Sequence, residues 1–420
     1  MRRITPTGSK TTSVTTNGHA GRRCASWIES FVEGTASLDT PKIFRLWTAI
    51  SVLGAVVEQK VYMRTGKGLL YPNMYTMLVA HPGVGKTATI RRGKQYYMEV
   101  PKPHPAPTSL TGASMIDAMK KNVREKNGDL PEYNSMYLIA DEFGAFMHKY
   151  DQETVSVMSA FYDTDGFSQW RRGNELKLAI KSPQMNALCG STPSNLLNTM
   201  PDFAWDQGFA SRFVMIFSDE RILGDDFADG ETDLNPDLVH DLCCVATIRG
   251  RFYITGDYVD KIKAWREAGE APAPSHPKLL HYTTRRRVHL YKLSMVSSLD
   301  RGDGLAITAE DFDRGLEWLT AAEVHMADVF LAGSGSDASK ALEDIHHFVI
   351  INDIGGKGVP SHRILNFAKS RVPLTALDKL IKNMEQSGML KQAGLDPKNK
   401  NVIMYRAGFP TLDAPMPEKG

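Results

Sequence analysis

Only four of the 420 residues are cysteine, Cys24, Cys189, Cys243 and Cys244, and no two of them are spaced as C-x-x-C. This argues against a disulfide framework and against a zinc knuckle, and it fits a reducing, cytoplasmic setting. Long apolar runs are also missing. The best, residues 46–57, is interrupted by Thr48, Ser51 and Gly54, whereas a bilayer span needs about twenty apolar residues, so a soluble chain is expected. Charge of either sign is scarce in net terms, because 50 Lys+Arg against 48 Asp+Glu leave +2. His346-His347 and the histidines of 276–281 have no partners at metal-ligand spacing, so a metal role is not expected of them. What is present is ordinary globular composition, 42% hydrophobic and 23% charged, with room for two or three domains of roughly 100 to 200 residues.

Charge is unevenly distributed. Residues 1–28 contain no acid, and residues 357–406 hold ten basic and three acidic residues, a local +7. A basic segment of that kind suits an anionic partner. Residues 1–24, rich in Thr, Ser, Gly and Arg, read as a disordered arm; no apolar run follows their arginines as a secretory signal requires. Helical patterning starts near Ala25. Short apolar runs then alternate with helical stretches from Met74 to Phe217, the pattern of a parallel sheet flanked by helices, so 25–222 reads as an α/β core with a helical lead-in. Residues 223–332 read as a helical lid, capped at Asn235 and Thr308, and 333–337 as a Gly/Ser linker. Three helical patterns and a hairpin within 338–409 match a winged-helix domain, followed by a tail, 410–420.

The most specific motif follows the apolar run 74–79: Ala80-His81-Pro82-Gly83-Val84-Gly85-Lys86-Thr87, leading into a helical segment. Strand, glycine turn and Gly-Lys-Thr at a helix start form the P-loop context. Gly83 and Gly85 let backbone N–H groups converge on phosphate oxygens, Lys86 reaches the β and γ phosphates, and Thr87 offers a hydroxyl to Mg²⁺. The apolar run 136–140 then ends in Asp141-Glu142. Asp141 is expected to hold Mg²⁺ and Glu142 to polarise the attacking water, so ATP and Mg²⁺ are the expected substrate and ion. Residues 184–190 read as another central strand and end in Ser191-Thr192, hydroxyls at the place of a γ-phosphate sensor. Arg212, just before the run 213–217, is placed to reach a neighbouring subunit's nucleotide.

This ordered set resembles a AAA+ ATPase, and the pattern Arg287 to Val296, with the Trp170 segment between the acidic strand and the sensor strand, is similar to the helicase-like ATPases of phages and prophages that accompany primases. The resemblance spans residues 25–330. It implies a second sensor arginine on the lid, for which Arg285, Arg286 and Arg287 all remain open, and a head-to-tail homo-oligomeric ring, expected to be a hexamer. It also implies primase or other replication proteins as partners, and a bacterial host cytoplasm if the gene is phage-borne. No primase-like metal cluster is visible, so priming is not carried over.

Two surfaces are candidates for nucleic acid. Residues 170–180 read as two short strands around Gly173-Asn174. In helicase-type members a hairpin at this point grips nucleic acid in the ring pore, so Arg171, Arg172, Lys177 and Lys181 are candidate phosphate contacts, with Trp170 as a stacking or anchoring residue. In the last segment Lys379 and Lys382 share a helix face with Asn383 and Gln386, and Lys398 and Lys400 form a basic wing tip. The expected function is an ATP-hydrolysing DNA motor, a replicative-type helicase acting on single-stranded or forked DNA. Two rivals stay open: a loader or transposition ATPase that remodels protein on DNA, and a nucleotide-gated DNA-binding scaffold.

Overall fold

In the computed structural model, the described residues are 21–107, 110–124, 132–147, 151–164, 166–171, 176–200, 202–206, 208–223, 233–274, 276–302, 304–334, 336–353, 356–369, 374–386, 388–397 and 399–408. The architecture is mixed α/β, and the chain divides into two units, 1–329 and 330–420.

The first unit opens with α1 (Trp27–Gly34), whose N-cap Ser26 accepts a bond from the Glu29 amide at 3.0 Å, and α2 (Lys42–Val56). Every residue from 47 to 56 in α2 is buried, so the longest apolar stretch of the sequence is a central core helix. A small ribbon, β1 (Val61–Thr65) and β2 (Gly68–Leu70), precedes the main sheet. That sheet contains β3 (Tyr75–Val79), β4 (Val123–Arg124), β5 (Tyr133–Ala140), β8 (Pro183–Ser191) and β9 (Phe213–Phe217), in the order β4-β5-β8-β3-β9. The last four are mutually parallel and β4 is antiparallel to β5. Every residue of β3, β8 and β9 is buried; β3 and β9 read as near-continuous apolar runs, while β8 also buries Gln184 and Asn186, which bond Glu58 O and the Met74 amide. Between β5 and β8 stands a two-stranded hairpin, β6 (Phe167–Arg171) and β7 (Leu176–Ile180).

Helices pack on the sheet. α3 (Lys86–Met98) follows β3, and Gly93 lets it approach α2 so closely that a Cβ there would stand 2.5 Å from Thr48 Cγ2. α4 (Gly112–Lys121) begins with a Thr111/Ser114 capping box, and α5 (Gln152–Asp163) with Asp151, whose carboxylate accepts from the Thr154 amide at 2.9 Å. α6 (Pro193–Thr199) and α7 (Asp202–Asp206) follow β8. The remaining helices are α8 (Pro236–Thr247), α9 (Gly256–Glu267), α10 (Leu280–Arg301) and α11 (Ala309–Glu323). Asn235 and Thr308 cap α8 and α11 at the positions expected from sequence. Residues 21–24, assigned above to the arm, lie against α8: the amides of Arg23 and Cys24 each donate to Asp241 at 2.8 Å. Residues 1–20 and 409–420 fall outside the described residues.

The second unit holds helices Ser336–Asn352, Ser361–Ala368 and Leu374–Gln386, and a three-stranded antiparallel sheet in which Asn399–Ala407 lies between Val359–Pro360 and Leu390–Asp396. Its core joins Ile345, Val349, Ile364, Ile381, Met384 and Tyr405. The stretch 333–337, expected to be a linker, is instead largely helical: Gly333 and Ser334 end the helix Asp328–Ser334, and Ser336 opens the helix Ser336–Asn352. Among the described residues, no helix is long and apolar enough to cross a membrane.

Candidate active site

Residues 80–87 leave the carboxyl end of β3 and open α3. Gly83 and Gly85 have φ of +84° and +86°, a backbone region that residues with a Cβ avoid. Gly85 is doubly constrained, since a Cβ there would stand 1.9 Å from Asp39 O. Thr40 Oγ1 donates to Gly85 O at 2.8 Å, so the segment between α1 and α2 braces the loop from behind. His81, Pro82 and Gly83 are exposed, while Ala80 and Val84 are buried and anchor the two sides.

Lys86 is buried and turns back on the loop, donating to Ala80 O at 2.7 Å and His81 O at 3.2 Å. Burial pushes its ammonium below the ordinary lysine range, and the Glu142 carboxylate opposes part of that shift. The two groups therefore feel each other across the end of the sheet. Thr87 is half-buried in the first turn of α3.

Asp141 and Glu142 follow β5, which is separated from β3 by β8. Gly190 permits this end of the sheet to close up, because a Cβ on it would lie 2.4 Å from Asp141 O. The carboxylate of Asp141 is half-exposed and paired through Oδ2 with Arg91 of α3, at 2.9 Å from Nε and 2.7 Å from Nη2. Glu142 Oε1 accepts from Asn195 Nδ2 at 2.7 Å and from Ser191 Oγ at 3.1 Å. Thr199 Oγ1 in turn donates to Asn195 Oδ1 at 3.0 Å, which fixes the amide so that its NH₂ faces the carboxylate. Thr192 caps α6 by accepting from the Asn195 amide at 3.2 Å. Sequence reasoning finds Ser191 and Thr192 but misses Asn195 and Arg91. The only available signal for Asn195 is its place three residues after the cap, which turns its side chain back toward the strand ends.

The oxygen donors of Thr87 and Asp141 are of the hard type that Mg²⁺ takes. The tight turn at Gly85 and the inward Lys86 suit a phosphate chain, so the residues present fit a Mg²⁺-nucleotide.

The arginines stand elsewhere. Arg212 precedes β9, whose Phe213 pairs with Tyr75 at the amino end of β3, the end opposite residues 80–87. Its Nη2 is bonded to Asp163 Oδ2 and its Nη1 donates to Gly208 O at 2.9 Å. Arg285, Arg286 and Arg287 diverge, as successive helical residues must at about 100° per residue. Arg285 Nη1 reaches Asp163 Oδ1 at 3.1 Å. Arg286 is 1% exposed and forks onto Glu323 at 2.6 and 2.7 Å, while burial holds the Glu323 carboxyl above its usual range. Arg287 meets Glu270 at 3.1 Å. The structure thus brings together residues 80–87, Asp141, Glu142, Ser191 and Thr192, and it does not bring Arg212, Arg285, Arg286 or Arg287 to them.

Of the nucleic-acid candidates, the hairpin strands pair with Trp170 opposite Lys177 and Arg171 opposite Leu176, immediately ahead of β8. Arg172 lies outside the described residues, as do the side chains of Trp170, Arg171 and Lys177; Lys181, at the foot of β7, is exposed. In the second unit Lys382, Asn383 and Gln386 are exposed on one face of their helix, and Leu380, Ile381 and Met384 face inward. Lys400 is exposed, the side chain of Lys379 is outside the described residues, and so is Lys398.

No protein-family model matches this sequence, and no curated protein matches it.

Proposed function

We propose that this chain is a AAA+ P-loop ATPase that works as a DNA-binding motor, a replicative-type helicase of a phage or mobile element assembled as a hexameric ring. The observation that carries the reading is the convergence, at one end of a parallel sheet, of a positive-φ glycine loop with an inward lysine and of an acidic pair held on a strand two places away. That separation places β8, with Ser191 and Thr192 at its end, between the loop and the acids.

Lys86 exchanges its contacts with Ala80 and His81 carbonyls for the β and γ phosphates, a charge-assisted replacement for neutral acceptors. Glu142, held through Oε1 by Asn195 and Ser191, keeps Oε2 for the attacking water. The water oxygen bonds to the γ phosphorus, the bond from that phosphorus to the β-γ bridging oxygen breaks, and Glu142 takes the water's proton; ADP and inorganic phosphate leave. Mg²⁺, when held by Thr87 and Asp141, neutralises charge on the phosphate oxygens.

Arg212 is a full strand length from its own loop, since the five residues of β3 span about 17 Å. It therefore serves the nucleotide of an adjacent copy, which is the arrangement a head-to-tail ring supplies. The hairpin ahead of β8 and a basic winged-helix unit are the two grips on DNA.

The reading is tested by measuring ATP hydrolysis with and without single-stranded DNA, and displacement of a labelled strand from a fork. DNA-stimulated hydrolysis with displacement supports the helicase. Stimulation without displacement points to a loader or remodelling ATPase, and no hydrolysis under any condition removes the motor altogether.

A further inference from the structure

Asp163 is the meeting point of two arginines from distant parts of the chain. One carboxylate oxygen bonds Arg212 and the other accepts from Arg285 Nη1 at 3.1 Å. Both guanidinium groups also sit beside the Tyr162 ring, 5.9 and 5.7 Å from its centre. Lys292 lies 4.1 Å from the same centre and donates to Asn73 O and Oδ1 at 2.6 and 2.7 Å. His289 is fully buried, its Nε2 2.9 Å from Ser211 O, and burial drives it down to about 3, so it adds no charge near neutrality. Two guanidinium groups thus share one carboxylate, and the cluster has positive charge to spare.

Arg285 differs from its neighbour Arg286 in how firmly it is held. The Arg286–Glu323 side chains are 1% and 5% exposed, a dry pair that is expensive to open. The Arg285–Asp163 side chains are 26% and 30% exposed, and a pair open to water to that degree exchanges partners at small cost. Arg212 also lines a cavity of about 390 Å³ with Gln152, Ser156, Ser159, Phe203 and Phe209. Its Nε is buried without a hydrogen-bond partner among the described residues. A buried N–H of an arginine left unmade is a cost that an incoming acceptor removes.

We infer that Arg285 is donated together with Arg212, as a pair positioned by Asp163, to the nucleotide phosphates of an adjacent copy of this chain. This rests on the ATPase reading above, and it assigns Arg285 across the subunit boundary rather than to its own loop. The placement decides it: Asn73 Nδ2 donates to Tyr162 O at 2.9 Å, which fixes the Asp163 cluster at the amino end of β3, opposite residues 80–87. Two planar guanidinium groups fit the equatorial oxygens of a γ phosphate better than one, and a phosphate bearing more charge than a carboxylate takes them from Asp163.

The test mixes full-length variants and reads ATPase rate. Arg285→Ala alone should lower turnover by about 10²-fold while nucleotide binding to the chain, read with a fluorescent ATP analogue, is unchanged. Mixing it with Glu142→Gln should restore activity, because at equal ratio about a quarter of interfaces join an intact arginine pair to an intact Glu142. A cis-acting arginine gives no restoration, since every site then lacks one group or the other. If Arg212→Ala is rescued by Glu142→Gln and Arg285→Ala is not, the inference is overturned and the ATPase reading stands. If neither variant is rescued although the wild type hydrolyses ATP, both arginine assignments fall; a wild type without ATPase activity removes the reading on which they rest. Should Arg285→Ala fail to fold by circular dichroism, Arg285→Lys keeps the ion pair and is put through the same mixing series.

Discussion

The two ends of the main sheet in the first unit are built differently. At the carboxyl end, the glycine loop, Asp141 and Glu142 are open or half-open, and Glu142 is held by neutral donors, an amide and a hydroxyl. At the amino end, cations outnumber acids, and Arg212 and Arg285 are tied to one carboxylate. In the first arrangement Asp141 is paired with Arg91 at a half-exposed site, and Lys86 rests on loop carbonyls. The second holds two guanidinium groups on one carboxylate at the end away from the loop, and these are the groups proposed to serve an adjacent copy.

The largest expected effect sharpens this comparison at the amino end. Arg212→Ala should lower ATP turnover by about 10³-fold or more without weakening nucleotide binding, measured by steady-state kinetics beside analogue titration. At the carboxyl end, Glu142→Gln should cost about 10² or more in turnover with binding intact, whereas Lys86→Ala should weaken binding itself. Near-normal hydrolysis in the Glu142 variant would break the comparison, since the acid end would then have no catalytic function.

A smaller effect separates held from poised arginines. Arg286→Ala strands the buried Glu323 carboxylate and should destabilise the fold by about 3–5 kcal/mol, whereas Arg285→Ala, at a half-open pair, should cost about 1 kcal/mol or less. Denaturant titrations of the two variants measure the difference; equal losses would mean that Arg285 is as structural as its neighbour.

His289 gives the pH signature of the same region. Burial depresses its pKa from 6.5 to about 3, so the unfolded chain binds the extra proton first as pH falls. Its contribution is complete above pH 6.5 and is lost progressively between there and about 3, at up to about 1.4 kcal/mol per pH unit. Replacing it by Gln, which retains a donor for Ser211 O, should flatten stability across that window in urea titrations.

How much of this was legible in the sequence follows from where each contact is made. Residues 80–87 act through backbone shape, so local residue types suffice to find them. Strands β3 and β9 are buried throughout and appear as near-unbroken apolar runs, whereas β5 and β8 carry polar residues such as Asn134, Ser135, Gln184 and Asn186 among their apolar ones. The caps at Asn235 and Thr308 act over three residues and were equally visible. Asn195 was missed because its role depends on Ser191 and Glu142 meeting at the ends of neighbouring strands. Asp163 was missed because an aspartate closing a helix is unremarkable until Arg212 and Arg285, 49 and 122 residues away in sequence, arrive at its two oxygens. The three consecutive arginines were seen, but only helix α10 and its packing sort them into one inward and two outward groups.

The central claim is that one end of the sheet holds the nucleotide and the other end serves a neighbour. Mixing Arg212→Ala with Glu142→Gln over a range of ratios and following ATP hydrolysis tests it most directly. Activity that rises above the sum of the two variants and peaks near equal mixing is the predicted result. A rate that stays at that sum at every ratio, with wild-type protein active in the same assay, would contradict the account.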